Sequence, residues 1–166
     1  MSWKSQIWKQ NLIHMMKDKK IAIFPGSFDP FHKGHDYVVQ MALRVFDEVV
    51  ICIAVNPTKQ GYFDVEARKR IIEAIYKDND RVKVTSTEGL IVDKAYEVKA
   101  AMIIKGARSG TDFDYEVAQA DANWEMTQIG TMVIPTHHSL SYISSTLIRS
   151  ILKTRQNSDA VKKLMC

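Results

Sequence analysis

The chain has 166 residues, room for one compact domain rather than two, with 46% apolar and 25% charged residues, the balance of an ordinary soluble globular protein. Its net charge of +4 is confined to residues 1–20, where Lys4, Lys9, Lys17, Lys19 and Lys20 face a single acid, Asp18; the remainder is neutral, which speaks against a nucleic-acid binder. No apolar run approaches the ~18–20 residues of a membrane span, and two cysteines, Cys52 and Cys166, exclude a disulfide scaffold and fit a reducing cytoplasm.

Residues 1–20 read as an N-terminal extension. Trp3, Ile7, Trp8, Leu12 and Met15 recur at helical spacing, with Lys4, Lys9 and Gln10 off that stripe, so an amphipathic helix docked on the body or on a neighbouring subunit is expected, with a disordered tail or a basic helix on a membrane surface as the alternatives. There is no uninterrupted apolar core or small-residue cleavage site of the kind a signal peptide carries. From residue 21 to 166 one domain is predicted, and its pattern is regular. Ile21–Phe24 is a short buried strand ended by Pro25-Gly26. His35–Phe46 is a helix with Val38, Val39, Ala42, Leu43 and Phe46 inward. Val49–Val55 is a β-branched run typical of a strand covered on both faces. Asp64–Tyr76 is a helix capped by Asp64, Val82–Ser86 a strand, and Leu90–Lys99 a helix. Met102–Lys105 is a strand, Phe113–Gln128 a long helix, and Thr131–Pro135 the last strand. Ser145–Lys153 and Asp159–Leu164 are closing helices.

Strands alternating with helices at this spacing imply βαβ units. The expected fold is α/β: a Rossmann-like, doubly wound, five-stranded parallel sheet with helices on both faces. Such sheets bind ligands beyond the carboxyl ends of their strands, so the residues following each strand carry the functional reading. After the first strand comes Pro25-Gly26-Ser27-Phe28-Asp29-Pro30-Phe31-His32-Lys33-Gly34-His35. This is neither a dinucleotide fingerprint nor a Walker A loop. It still suits an anion: the glycines allow close backbone approach, a helix N-terminus follows, and Ser27, His32 and His35 add donors. After the second strand stands Asn56-Pro57-Thr58-Lys59. After the fourth, Lys105-Gly106-Ala107-Arg108 places two cations about a glycine, followed by Asp112, Phe113, Tyr115 and Glu116. After the fifth, Ser141-Tyr142-Ile143-Ser144-Ser145-Thr146 opens a helix with hydroxyls, by default an N-cap and in this company a third phosphate-binding element. No Ser or Cys nucleophile has an orienting triad. His137-His138 lacks a third ligand at metal spacing, so no protein metal site is expected. The chemistry such turns suit is phosphoryl or nucleotidyl transfer, which needs alignment and charge neutralisation rather than covalent help.

Gly26-Ser27-Phe28-Asp29-Pro30 with His32-x-Gly34-His35, and Ile143-Ser144-Ser145-Thr146-x-x-Arg149, resemble the two signatures of the HxGH nucleotidyltransferase superfamily. Within it, Lys105-Gly106-Ala107-Arg108 with the Asp112–Glu116 block, and Pro57-Thr58-Lys59, resemble the bacterial phosphopantetheine adenylyltransferases. The resemblance runs from Ile21 to Lys153. It implies transfer of the adenylyl group of ATP to 4′-phosphopantetheine, giving dephospho-coenzyme A and pyrophosphate, with Mg²⁺ as cofactor, in the cytoplasm, in a homo-oligomer that is usually a hexamer. It implies His35, Lys59 and Arg108 as catalytic residues. It places Ser27, Phe28, His32, His35, Gly106, Ala107, Arg108 and Glu116, with Leu140, Ser141, Tyr142, Ile143, Ser144, Ser145 and Thr146, around ATP. The acceptor would meet Ser27, Lys59, Ile91 and Lys105. Three positions depart from the pattern: Lys105 stands where Arg is usual, Leu140 where an aromatic is common, and His32 where another polar residue is frequent. His32 completes the HxGH motif as in nicotinamide mononucleotide adenylyltransferases and cytidylyltransferases, so a different phosphorylated acceptor is the alternative reading.

Overall fold

The computed structural model describes residues 19–154 and 159–166; the amphipathic helix expected within residues 1–16 lies outside that range. In chain order the elements are β1 (Ile21–Gly26), α1 (Lys33–Ala42), β2 (Glu48–Ala54), α2 (Val65–Ile75), β3 (Val82–Thr87) and α3 (Ile91–Glu97). Then come β4 (Met102–Ala107), α4 (Gly110–Thr127), β5 (Gly130–Pro135), a 3-10 turn (His138–Leu140), α5 (Ser145–Thr154) and α6 (Asp159–Leu164). The five strands form one parallel sheet in the order β3-β2-β1-β4-β5. Winding reverses between β1 and β4, which makes their carboxyl ends the place for a ligand.

Side chains alternate across the strands and fill two faces. Ala22, Phe24, Val49, Ile51, Ile53, Ile104 and Ile134 pack with Val38, Val39 and Ala42 of α1 and Ile72 of α2. Ile23, Cys52 and Ile103 turn the other way, onto Ala95 of α3 and onto Ile129. A third, smaller cluster joins Ile143 and Ile148 to Val161 and Leu164, seating the closing helices on each other.

Several ends differ from the predicted ones, each for a local reason. β1 runs on through Pro25-Gly26, paired with Cys52 and Ile53 of β2. Against β4 it pairs only at Ala22 and Ile23. A proline donates no N–H, and the two strands part before Pro25, which opens the sheet at its switch point. α1 stops at Ala42, although Phe46 is still buried. The Arg81 guanidinium takes the carbonyls of Leu43, Phe46 and Asp47 at 2.6, 2.8 and 3.0 Å, so a turn replaces the last helical turn. α4 begins three residues early, at Gly110, because the Ser109 hydroxyl accepts from Asp112 N–H at 3.2 Å. Asp64 caps α2 as predicted, accepting from Ala67 N–H at 2.6 Å.

Candidate active site

The β1–α1 turn is shaped around an aromatic ring. Phe28 has φ 46°, in the left-handed region, and its ring folds back over Gly26. A Cβ on Gly26 would lie 2.8 Å from the Phe28 ring, so only glycine lets the chain pass beneath it. Phe28 is 1% exposed and meets Phe24 and His35 edge-on, with centroids 5.1 and 5.0 Å apart. Its ring therefore builds the wall behind His35 more than it offers a surface to a nucleotide.

The two histidines cap the helix between them. His32 Nδ1 accepts from Gly34 N–H at 3.1 Å, and His35 Nδ1 accepts from His32 N–H at 3.2 Å, a reciprocal capping box built from imidazoles. Their rings stack with centroids 3.7 Å apart. Accepting at Nδ1 puts each ring's proton on Nε2, which leaves His35, lining the central cavity, a neutral N–H donor. Electrostatics holds that state. Burial, then the neighbouring His32 and Arg108, push the His35 pKa well below its usual value. Burial, then Arg108, lower that of His32 to about 4. The unfolded chain takes up protons near 6.5 while the folded one does not, so stability is full above that pH and drains away as pH falls from 6.5 toward about 4. The melting temperature is expected to fall over this window. His32→Asn, which keeps a capping acceptor and does not titrate, is expected to flatten the fall; an unchanged slope would remove His32 from the account.

At the end of β4 two cations lie beside α4. Lys105 Nζ is 3.1 Å from Glu116 Oε2, with both side chains largely enclosed. The contact is ionic rather than an aligned hydrogen bond, since Glu116 Oε2 has no hydrogen-bond partner. Arg108 Nε and its own backbone N–H both reach Asp112 Oδ2 at 3.2 Å, and a guanidinium N–H reaches Ile143 O at 3.4 Å. The opening of α5 completes the set. Ser144 Oγ caps Leu147 N–H at 3.1 Å. Ser145 Oγ donates to Pro30 O at 2.9 Å and Arg149 Nη1 to Asp29 O at 2.7 Å, which ties this helix N-terminus to the first turn.

These turns line one cavity of about 630 Å³ between β1 and β4. Of the predicted residues, Ser27, Phe28, His32, His35, Lys105, Gly106, Arg108, Glu116, Ser144, Ser145 and Thr146 face it. Lys59 lines a neighbouring cavity of about 400 Å³, which shares Ser27 and Arg149 with the first. Ile91 lines a third, of about 180 Å³, which shares Pro25 and Lys105 with the first. Leu140, Ser141, Tyr142 and Ile143 line none of these cavities: Ile143 is 1% exposed in the closing-helix cluster, and Tyr142 faces outward. Ala107 is likewise buried and off the cavity. Thr111, Asp112, Tyr115, Thr136 and Arg149 line the cavity and were absent from the predicted set. Arg149 stands inside the second signature and Thr136 directly follows β5, so both were within reach of the rule that reads the residues after each strand.

The family model described as Cytidylyltransferase-like matches residues 23–151. The phosphopantetheine adenylyltransferase of Bacteroides thetaiotaomicron is 44% identical over 131 residues, 79% of this chain and 87% of that protein. That of Clostridium novyi is 42% identical over 134 residues, 80% of this chain and 83% of its own length. Among solved structures, a putative nicotinate-nucleotide adenylyltransferase from Vibrio parahaemolyticus superposes with a TM-score of 0.62 at 23% identity, covering 89% of this chain and 94% of its own, which speaks for the fold. With the HxGH turn, the β4 cations and the α5 opening gathered on one sheet edge, the chain belongs to the cytidylyltransferase-like nucleotidyltransferases and, within them, to the phosphopantetheine adenylyltransferases.

Proposed function

We propose that the protein transfers the adenylyl group of ATP to 4′-phosphopantetheine, releasing pyrophosphate and forming dephospho-coenzyme A. The observation that carries this reading is the convergence of the β1, β4 and β5 turns on one cavity that presents a neutral imidazole donor, the three cations Lys105, Arg108 and Arg149, and a helix N-terminus. The acceptor is itself a phosphate monoester, largely ionised near neutrality with its second pKa at about 6, so attack needs no general base. An acceptor oxygen forms a bond to the α-phosphorus of ATP, the bond from that phosphorus to the β-bridging oxygen breaks, and pyrophosphate leaves with the electron pair. His35 Nε2–H donates to the α-phosphate as negative charge gathers there. Arg108 and the α5 opening hold the β- and γ-phosphates. Lys105 and Lys59 hold the acceptor phosphate, with Glu116 balancing Lys105.

Mg²⁺ would come with ATP, and the chemistry it would supply is neutralisation of triphosphate charge. Among the described residues no three His, Cys, Asp or Glu side chains converge as a cage, and Asp112 and Glu116 are each paired with a cation. That donor set fits an ion held by phosphate oxygens and water.

Assembly as a homo-oligomer belongs to the same proposal. It is supported by the apolar surface that α4 leaves exposed at Phe113, Val117, Trp124 and Met126. Free thiols at Cys52 and Cys166 accord with a reducing cytoplasm, and no described helix is long and apolar enough to cross a membrane.

A substrate panel tests the reading. ATP with 4′-phosphopantetheine is expected to release pyrophosphate. Turnover with nicotinamide mononucleotide, or with CTP and a phospho-alcohol, in place of phosphopantetheine would transfer the assignment to another acceptor.

A further inference from the structure

Lys59 stands on the loop between β2 and α2, and that loop is fastened by two charged residues the reaction scheme leaves unused. Asp29 and Arg68 are each only 7% exposed. Asp29 Oδ2 accepts from Tyr62 N–H at 2.7 Å and Oδ1 from Phe63 N–H at 2.9 Å. Arg68 Nε donates to Phe63 O at 2.8 Å and lies 3.6 Å from Asp29 Oδ1, while Arg68 Nη1 donates to Ser27 O at 3.2 Å. Gly61 lets the chain close over this knot, because a Cβ there would run into the Arg68 guanidinium and come 2.9 Å from Phe63 O. At the loop's other end Asn56 Oδ1 accepts from Thr58 N–H at 2.9 Å, and Asn56 O accepts from Lys59 N–H at 3.1 Å. The stretch that carries Lys59 is thus pinned on both sides, and its distal pin grips the backbone of the Ser27 turn. A third tether reaches Asp29 itself, since Arg149 Nη1 donates to Asp29 O at 2.7 Å.

A buried Asp–Arg pair is a poor device for stability, because desolvating both charges offsets much of their attraction. Here both carboxylate oxygens of Asp29, and the Nε and Nη1 of Arg68, are turned on loop backbone. We propose that Asp29 and Arg68 are positioning residues that set Lys59 in register with the Ser27 turn, and so hold the acceptor phosphate against the nucleotide. The inference rests on the proposed reaction for the role of Lys59. It concerns how the acceptor is aligned, whichever phosphorylated acceptor that is.

A double-mutant cycle tests it, run with the acceptor that releases pyrophosphate in the substrate panel. Arg68→Met is expected to raise the KM for the acceptor about tenfold or more, the scale of one lost contact to a charged group. The KM for ATP should move by less than about threefold, well short of such a loss. In the Lys59→Ala background, Arg68→Met should add no more than about a twofold change, because residues that act through one another are not additive. Gly61→Ala removes no charge and displaces the guanidinium, so it is expected to shift the acceptor KM in the same direction; it carries the test alone if Arg68→Met does not fold. Losses that multiply, equal rises in both KM values, or an acceptor KM unmoved by Lys59→Ala would overturn the proposal. Inactivity toward phosphopantetheine with turnover of another acceptor would instead overturn the reaction assignment, and the cycle would still be read with that acceptor.

Discussion

Replacing His35 by alanine is expected to lower turnover by about 10²–10³, the usual loss when one fixed donor to a developing oxyanion is removed. The size follows from the state of the ring. Its Nδ1 is occupied by His32 N–H at 3.2 Å, so the Nε2 proton is the one the ring can offer. Burial, His32 and Arg108 all disfavour the imidazolium, so the donor is neutral across the physiological range. A neutral donor suits this reaction, because it gains strength as charge gathers on the phosphate without binding the ground-state anion as tightly as a cation would. The loss should therefore fall on kcat more than on the KM for ATP. The fold should survive. Alanine forfeits one half of the capping box, of order 1 kcal/mol, while Gly34 N–H keeps its acceptor in His32. Turnover within a few-fold of the parent, in a variant that melts normally, would take His35 out of the mechanism.

Much of this site was legible before the fold, and the part that was not has physical reasons. Short β-branched runs such as Val49–Ile53 favour strands buried on both faces, and glycine-bearing turns at their ends mark where ligands approach. That reading singles out Ser27, His35, Lys105 and Arg108, which line one cavity in the fold. Spacing along the chain does not report which way a side chain turns once a helix packs. Ile143 sits in a motif rich in hydroxyls, yet its apolar side chain is drawn into the cluster with Ile148, Val161 and Leu164, and only its carbonyl faces Arg108. Tyr142 beside it turns to solvent. Lys59 shows a different limit. The family resemblance gives it the acceptor phosphate, but its place beside the cavity rests on contacts of Asp29 and Arg68 that span 33 to 41 residues of sequence. The strand ends misled for a third reason. Pro25-Gly26 reads as a break, whereas the chain continues in register with β2 and only the partnership with β4 is lost. That lost partnership opens the sheet beside the cavity.

Gly106→Ala is expected to cost about 1–3 kcal/mol of stability, the range for overpacking a tight core, and to lower turnover by roughly 10², the cost of misplacing reacting groups by about 1 Å. Gly106 lies in β4 between Lys105 and Ala107, opposite Ile134 of β5. A Cβ there would stand 2.8 Å from Val38 Cγ2. Val38 is 1% exposed and β-branched, so its methyl groups have little room to rotate away. The strain must then be relieved by moving β4 and α1 apart. α1 carries His35 one turn before Val38, while β4 carries Lys105 and ends directly before Arg108, so the movement separates the imidazole from these cations, which line the same cavity. This mechanism has its own suppressor. Val38→Ala removes the opposing methyl group, and in that background Gly106→Ala should recover most of the lost turnover even though the core is a little looser. Chemical denaturation and steady-state kinetics on the two single variants and the double variant decide the matter. Should Gly106→Ala cost as much turnover with Ala as with Val at position 38, the contact between strand and helix would not be what sets the distance between His35 and Arg108.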